Sequence, residues 1–435
     1  MSTSWRHRLR SLLPLILLTI GSAYALASWN WCGRWKEEAP LLLGGARAEG
    51  PWKAGAAKVA LAPPYPVAVA GYGLSLPEAS GAGLPPQARA VVLAVGELKV
   101  GLVSLELMLV PDALVAAVRE RSAPLGLNAV LVVATHTHSS FGGYDARLAS
   151  QLSGTGRFRE DALKAAAAGA SEALRQAASR LTDVTLEVGE AREPGLVRSR
   201  SGGGVPEGAL TRVVLRGTGG PVAELLLFAA HPTLVPRKRD VVDPDWPGRL
   251  SQLREEPGGV TLVLQGAAGN ASAVWNEAEG LERVAGYAKA VAALAGKAEP
   301  VAAEGALALG YARVSVALPR PDASRLVPGY ARAAGDNLLC ASSARTAEVG
   351  ALVLGPLHWL LMPGEPTVQA GSALAGRTGA SGVLGLVDGY VGYVETPERV
   401  EAREGESRRQ YFGPLLLERL GAGAELAARE AGFTP

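Results

Sequence analysis

The sequence predicts an α/β fold: a layered domain with a mixed β-sheet flanked by helices. Two observations lead to this prediction. Strand-length apolar runs alternate with long stretches of high helix propensity, and one of the runs is continuously apolar, as expected of a strand covered on both faces. With 435 residues, of which 48% are hydrophobic, the chain is long enough to bury a large core.

The strand predictions rest on short apolar runs bounded by turn residues. Residues 88–107 are predicted to form two strands around a Gly-Glu turn. The run "NAVLVVA", residues 128–134, is continuously apolar, which is typical of a strand covered on both faces. Further strands are predicted at 185–191, 210–217, 223–230, 260–266, 311–319 and 350–362, and helices at 110–124, 159–181, 281–298 and 413–430.

The N-terminus has the pattern of a membrane-targeting segment. Three arginines within the first ten residues precede a stretch without charged side chains from Ser11 to Gly33, longer than the roughly 20 residues that span a bilayer. The triplet Ala25-Leu26-Ala27 matches a cleavage site, so both an export signal and an uncleaved anchor fit the pattern. Either one predicts an exported protein that is secreted or held at the membrane.

We therefore expect a signal peptide or membrane anchor over residues 1–32, a linker rich in Gly, Ala and charge over 33–55, and one folded domain over 56–435. Cys32 and Cys340 can pair in an oxidising compartment, although Cys32 lies beside the predicted membrane segment. The 43 basic and 41 acidic residues give a net charge of +2, so no nucleic-acid partner is expected.

Candidate functional residues stand directly after four apolar runs. Such loops converge where strands of an α/β sheet end, and this edge usually holds the active site. The polar segments are Thr135-His136-Thr137-His138, His231-Pro232-Thr233, Asn270-Ala271-Ser272 and Gly364-Glu365-Pro366.

Two of the chain's five histidines, His136 and His138, are spaced so that both side chains point the same way on an extended backbone. Two imidazoles presented together suit a zinc ion, and His231 and Glu365 would complete a catalytic ligand set. A hydrogen-bonded structural pair is the alternative interpretation. His358, inside an apolar run, is predicted to be a structural strand residue, and Glu365 alone also fits a surface turn.

An ordered series of motifs resembles the catalytic domain of the neutral/alkaline non-lysosomal ceramidases. The resemblance extends from about residue 56 to at least 400. In order, the motifs are "AGAAKVALAPPYPVAVAGYG", "RAVVLAVGELKVGLVSLELMLVPDALV", "VLVVATHTHSSFGGY", "FAAHPTLV", "DPDWPG", "LVLQGAAGNAS", "LMPGEPT" and "GYVGYVETPE".

The resemblance implies a zinc-dependent amidohydrolase that cleaves the N-acyl bond of ceramide, an amphipathic lipid, into sphingosine and a fatty acid. The implied zinc ligands are His136, His138, His231, Glu365 and Tyr393. The implied catalytic residues are Ser272, which matches the family's Gly-Asp-x-Ser serine, and Tyr390, which orients the substrate or protonates the leaving amine. A water activated by zinc, whose pKa falls to about 7, is the expected nucleophile.

Two departures from the family pattern leave the substrate open. Asn270 replaces the family's aspartate, and Ser140-Phe141 alters the loop after the histidine pair. Asn270-Ala271-Ser272 also fits a turn or a glycosylation acceptor. The alternatives are therefore a zinc amidase of another N-acylated substrate and an inactive, membrane-attached binding protein of the same fold. Other divalent metals accept the same ligands.

Overall fold

The computed structural model describes residues 14–22, 24, 31–73, 76–202, 204, 206–237, 239–255, 259–305 and 307–433. The leader predicted over residues 1–32 lies largely outside these residues. Within the described part of the chain, no helix is both long and apolar enough to cross a membrane.

Two β-sheets are stacked face to face, and helices cover their outer faces. In chain order the strands are Leu41–Glu49 (β1), Trp52–Ala60 (β2), Gln87–Val95 (β3), Leu98–Leu105 (β4), Ala129–Ala134 (β5), Thr182–Arg192 (β6), Ala209–Gly217 (β7), Gly220–Phe228 (β8), Val260–Gln265 (β9), Val301–Ala302 (β10), Ala308–Ala317 (β11), Thr346–Leu354 (β12), Leu357–Leu361 (β13) and Gly382–Leu384 (β14). The helices are Asp112–Ser122 (α1), Glu160–Ala178 (α2), Asp245–Glu255 (α3), Gly280–Lys297 (α4), Arg332–Ser342 (α5), Val368–Thr378 (α6), Pro397–Glu401 (α7) and Leu415–Ala431 (α8).

The larger sheet has nine strands and mixed pairing, as the sequence predicts. Its strands follow the order β9-β8-β7-β6-β2-β3-β4-β5, and β10 pairs with β6. All neighbours are antiparallel except the pairs β4 with β5 and β8 with β9. The second sheet, β1-β11-β12-β13-β14, was not predicted as a separate layer. The run 350–362, predicted as one strand, is the β12–β13 hairpin of this sheet, because Gly355 takes a left-handed conformation at the turn.

Burial on both faces explains the continuously apolar runs. In β5 all six side chains are buried. Val130, Val132 and Ala134 contribute to the core under helices α1 and α2, whereas Leu131 and Val133 contribute to the core between the two sheets. Helices α3 and α4 cover another part of the larger sheet, and α6 and α8 cover the smaller sheet. The layering is therefore helix, sheet, sheet, helix.

The prediction of a linker over residues 33–55 is wrong. Its residues supply β1, which pairs with β11 at the edge of the smaller sheet, and part of β2 in the larger sheet. Trp52 is only 3% exposed, so apolar burial fixes this segment despite its Gly-rich and charged composition. Gly55 permits helix α2 to approach β2, because a Cβ atom there would lie 2.2 Å from the Ala177 carbonyl oxygen. Cys32 is disulfide-bonded to Cys340 of helix α5.

The ends of several strands meet at one place, as the sequence predicts. The Gln265 side chain, at the end of β9, donates a hydrogen bond to the Thr135 carbonyl after β5 at 2.9 Å. The loop after β14 joins both, since Gly385 N–H donates to Gln265 O and Ala134 N–H donates to Leu386 O. These bonds connect the two sheets directly beneath the candidate site.

Candidate metal centre

Three imidazoles converge on one point. The Nε2 atom of His136 lies 3.1 Å from Nε2 of His231 and 3.2 Å from Nε2 of His138. The three rings belong to the only group of histidine, cysteine and acidic side chains in the described chain whose ligand atoms are arranged closely enough to hold a metal ion. His136 and His231 are almost fully buried.

A backbone carbonyl fixes the tautomer of each ring. The Nδ1 atoms of His136, His138 and His231 lie 2.7, 3.0 and 2.7 Å from the carbonyl oxygens of Met108, Gly71 and Ala268. A carbonyl oxygen only accepts, so each Nδ1 carries the proton and each Nε2 presents a lone pair. Metal-binding histidines have this arrangement, with the second nitrogen bonded to an acceptor that orients the ring.

The rings of His136 and His138 approach each other because the backbone bends at His136, and not because the two residues lie on an extended strand. Strand β5 ends at Ala134, and His136 has a φ of 69° in the left-handed region. A side chain rarely occupies that region unless the surrounding structure enforces it, which is common at functional sites. The prediction that the rings converge is correct, but the extended geometry assumed for it is wrong; the rings stand nearly perpendicular, at 86°.

Glu365 is buried beside the three rings, so the alternative of a surface turn is wrong. Its short strand, Glu365–Pro366, pairs with Tyr393–Val394 and brings both segments to the site. The Oε2 atom lies 3.1 Å from the Nε2 atoms of both His136 and His231, yet it accepts no hydrogen bond. The other oxygen, Oε1, accepts a hydrogen bond from the Tyr390 hydroxyl at 2.6 Å.

These donors fit a divalent cation. Three Nε2 lone pairs and one carboxylate oxygen face one another without a proton to share, an arrangement that is costly in a buried site unless a cation satisfies it. Burial lowers the pKa of His231 to about 4 and that of His138 well below its ordinary value, so both rings are neutral. Burial alone would raise the pKa of Glu365, but His136 and His231 hold it well below its usual range.

Both predicted tyrosines lie at this centre. The Tyr393 hydroxyl is 3.5 Å from His231 Nε2, and its ring stacks parallel to the His231 ring. Arg200 donates a hydrogen bond to the Tyr393 hydroxyl at 2.8 Å and to the Gly269 carbonyl at 2.7 Å. Burial raises the pKa of both Tyr390 and Tyr393, so each phenol is a proton donor in the absence of a cation.

Ser272 lies next to the centre but is not among the side chains that line the cavity described below. Its backbone forms a parallel bridge with His231, and it belongs to the short strand Ala271–Ala273.

Asn270 is fully buried: its Oδ1 accepts from the Val368 amide and its Nδ2 donates to Gln369, at the start of helix α6. The amide that replaces the family's aspartate therefore has a structural role here, and the glycosylation alternative is wrong. His358 lies on β13 and stacks on Phe433, as predicted for a structural histidine.

A cavity of about 1130 Å³ opens over His136 and His138. Apolar side chains from several segments line it, among them Met108, Leu109, Leu234, Val235 and Leu339. Tyr390, Tyr393 and Glu365 also face it. The volume and mixed lining suit an amphipathic molecule whose polar part reaches the histidines.

Arg200 and Arg147 are site residues that the sequence did not predict. Arg147 binds Asp145 and donates to the Tyr390 carbonyl at 2.7 Å, and it thereby holds the tyrosine loop. Neither arginine stands at the end of an apolar run, and both lie in segments without regular periodicity. The sequence could not predict that the Gly71 and Met108 carbonyls orient the histidines, because every residue has a backbone carbonyl.

Comparisons with known proteins agree with this architecture. No protein-family model and no curated protein sequence matches the chain. Among solved structures, neutral ceramidase from Pseudomonas aeruginosa superimposes with a TM-score of 0.73 at 20% sequence identity, covering 88% of this chain and 74% of the other. A ceramidase complexed with C2 gives a TM-score of 0.70 at 19% identity, with 87% and 75% coverage. The protein thus has the neutral ceramidase fold, which confirms the fold that its motifs imply.

Proposed function

We propose that the protein is a zinc-dependent amidohydrolase that cleaves the N-acyl amide of a ceramide-like lipid into a fatty acid and a long-chain amine, which is sphingosine for ceramide itself. The convergence of three Nε2 lone pairs with Glu365 at the base of a partly apolar cavity is the observation that carries this proposal. The similarity in fold to neutral ceramidases supports it.

His136, His138, His231 and Glu365 would hold the ion, with Tyr393 as a fifth ligand. Zinc bound there supplies Lewis-acid chemistry: it activates water at neutral pH and polarises the amide carbonyl. The carbonyls of Met108, Gly71 and Ala268 keep the imidazoles oriented throughout.

Tyr390 is the proposed proton donor. Its hydroxyl faces the cavity and hydrogen-bonds Glu365 Oε1, and burial keeps the phenol protonated. A phenol in this position can hydrogen-bond the developing oxyanion or pass a proton to the leaving nitrogen. Arg200 donates to the Tyr393 hydroxyl, whose oxygen lies 3.5 Å from His231 Nε2, so the phenol is held where it would serve as the fifth ligand.

Ser272 is proposed to support the His231 segment and not to act as the nucleophile, since it lies beside the centre but does not line the cavity. Attack by a serine hydroxyl requires a nearby base. Of the histidines in the described chain, His136, His138 and His231 belong to the metal set, and His358 packs against Phe433 away from it. The bridge between Ser272 and His231 keeps the serine beside the proposed ligands.

We also propose that the protein works at a membrane surface outside the cytoplasm. The apolar leader predicts export or anchoring. The Cys32–Cys340 disulfide suits an oxidising compartment, and it ties the end of the predicted leader to helix α5. Leu339 of this helix lines the cavity, and the neighbouring Leu338 is 55% exposed. A leader in the membrane would therefore keep the cavity close to lipid substrates.

A zinc amidase of another N-acylated substrate is the second candidate, because the loop around Ser140 and Phe141 differs from the family pattern. An inactive binding protein is disfavoured, since His136, His138 and His231 converge with Glu365 in one ligand set.

The test is zinc content and release of fatty acid from N-acylsphingosine by the purified full-length protein, the His136→Ala variant and the His358→Ala control. We expect about one zinc per chain in the wild type and the control, and loss of zinc and hydrolysis together in His136→Ala. Zinc without hydrolysis would support the second candidate. A folded, zinc-replete sample that binds no metal would refute the hydrolase proposal.

A further inference from the structure

The cavity over the histidines is lined by an excess of arginines. Of the described residues that line it, six are arginines and two are glutamates, and one of the glutamates is the proposed ligand Glu365. The other is Glu279, which is exposed. The whole chain has a net charge of only +2, so positive charge is concentrated in this cavity. The arginines are Arg147, Arg200, Arg237, Arg283, Arg408 and Arg409.

Half of these guanidinium groups are already paired. Arg147 binds Asp145 at 2.7 Å, and Arg200 and Arg409 bind Glu406 at 2.9 and 3.4 Å. These ion pairs hold the loops around the two tyrosines and leave little charge available to a ligand.

The other three guanidinium groups have no acidic partner. In the described chain no carboxylate forms an ion pair with Arg237, Arg283 or Arg408. Arg237 lies over the Tyr72 ring, at 4.3 Å from its centroid. The Tyr72 ring in turn lies next to the ring of His138. Arg283 is half-buried, and its Nε atom is buried without a hydrogen-bond partner.

The N-terminus of helix α4 faces the cavity close to Arg283. It is an 18-residue helix whose first residue, Gly280, lines the cavity, and the side chain of Glu279 does not cap its N-terminus. Unpaired N–H groups and the helix dipole add partial positive charge at such an end. Arg283 lies in the first turn of the same helix.

We propose that the natural substrate carries an anionic group, a carboxylate or a phosphate, on its amine portion, and that Arg283, with Arg237, binds this group. The inference rests on the proposed amidase function. A neutral lipid filling the cavity would strip water from these guanidinium groups without replacing it, whereas an anion supplies charge-assisted hydrogen bonds. The acyl portion has only the scissile carbonyl as a polar group, so the anion belongs to the amine portion.

Matched substrates test this inference. N-dodecanoylethanolamine and its O-phosphate share the acyl chain and the scissile amide and differ in charge. For the zinc-loaded full-length protein we expect kcat/KM to be at least about tenfold higher for the phosphate than for the neutral substrate, because one charge-assisted hydrogen bond contributes about this factor. At high salt, kcat/KM for the phosphate should fall towards the value for the neutral substrate. Arg283→Gln should reduce this preference by about tenfold. The control Arg192→Gln, an exposed arginine paired with Glu207 that is not among the lining residues, should keep it.

Two results would overturn the inference. The first is an equal kcat/KM for the two substrates. The second is that Arg283→Gln weakens inhibition by dodecanoate and leaves kcat/KM for both substrates unchanged. The second result would assign the arginine to the carboxylate of the fatty-acid product. Calorimetric titration with dodecyl phosphate separates this inference from the proposed function. Binding that depends on Arg283, in a protein that hydrolyses no amide, would retain the anion site and reject the amidase.

Discussion

The Nε2 atoms of His136 and His231 lie 3.1 Å apart, and neither nitrogen carries a proton that a hydrogen bond between them would need. Each ring donates its Nδ1 proton to a backbone carbonyl, of Met108 in one case and of Ala268 in the other. Two lone pairs at this separation repel each other, and Glu365 Oε2 adds a third acceptor 3.1 Å from both. The contact is favourable once a cation lies among the three atoms.

Removing the metal should therefore destabilise the protein. Any ion that binds only the folded state stabilises it by an amount that rises with ion concentration above the dissociation constant. We expect a chelator to lower the Tm of the wild type and added zinc to restore it. The Tm of His136→Ala should not respond to zinc, whereas that of His358→Ala should respond as in the wild type. Differential scanning calorimetry checks this, and an identical Tm with and without the chelator would contradict it.

The metal-free protein should also lose stability as the pH falls. Burial lowers the pKa of His231 from 6.5 to about 4. Between these values the unfolded chain binds more protons than the folded one, so the free energy of unfolding decreases with falling pH. One pKa unit corresponds to about 1.4 kcal/mol, which makes the loss from His231 about 3 kcal/mol over this window.

Urea unfolding of the chelated protein at pH 7, 5.5 and 4.5 measures this effect. Loss of stability should be smaller in His231→Gln, which lacks the titrating ring. Glu365 changes stability in the same direction at lower pH, because its pKa also lies well below the usual value. The same dependence on pH in both proteins would refute the assignment to His231.

The sequence was most informative where one local rule dominates. Short apolar runs predicted β3, β4 and β5, and the alanine-rich pattern predicted α2, because both depend on the residues within each element. Three of the four polar strand ends supply the residues that converge, His136 with His138, His231 and Glu365, since strand ends that carry such residues tend to meet.

Long-range relationships were not predictable in this way. The division into two sheets depends on the pairing of β1 with β11, more than 200 positions away in the chain, and nothing within either strand encodes it. Helix α3, whose residues include Pro247 and Gly248, has a weak local signal, and its burial against β9 fixes it. The left-handed conformation of His136 likewise arises from its surroundings.

Arg200→Gln should reduce catalysis without removing the metal. The substitution abolishes the hydrogen bond to the Tyr393 hydroxyl and leaves the buried Glu406 without its closest partner. We expect kcat to fall about 100-fold, the usual effect of one lost donor at a reacting centre, with about one zinc per chain retained. Steady-state kinetics and zinc analysis on the same preparation check this. A change in KM alone would show that Arg200 acts only on substrate binding.

Tyr390 and Ser272, the two catalytic residues that the resemblance implies, should differ in their effects. Tyr390→Phe removes the hydroxyl bonded to Glu365 and should lower kcat by about 100-fold or more, as expected for a lost proton donor. Ser272→Ala should lower kcat/KM by about tenfold or less, because Ser272 does not line the cavity and meets His231 through its backbone, which the substitution keeps. Both variants should retain zinc. Complete loss of single-turnover acyl transfer in Ser272→Ala, with normal activity in Tyr390→Phe, would favour a serine nucleophile.

The disulfide should stabilise the region around helix α5 without affecting the metal centre. Cys32 and Cys340 are separated by 308 residues, so the bond restricts a long loop in the unfolded chain, and its loss is expected to cost about 2–4 kcal/mol. Cys32→Ser/Cys340→Ser should therefore have a lower Tm and faster proteolysis within residues 323–343, with unchanged zinc content. Because Leu339, Ser342 and Ser343 line the cavity, KM for long-chain substrates should rise more than kcat falls. Loss of zinc in the double variant would show instead that the disulfide supports the metal centre itself.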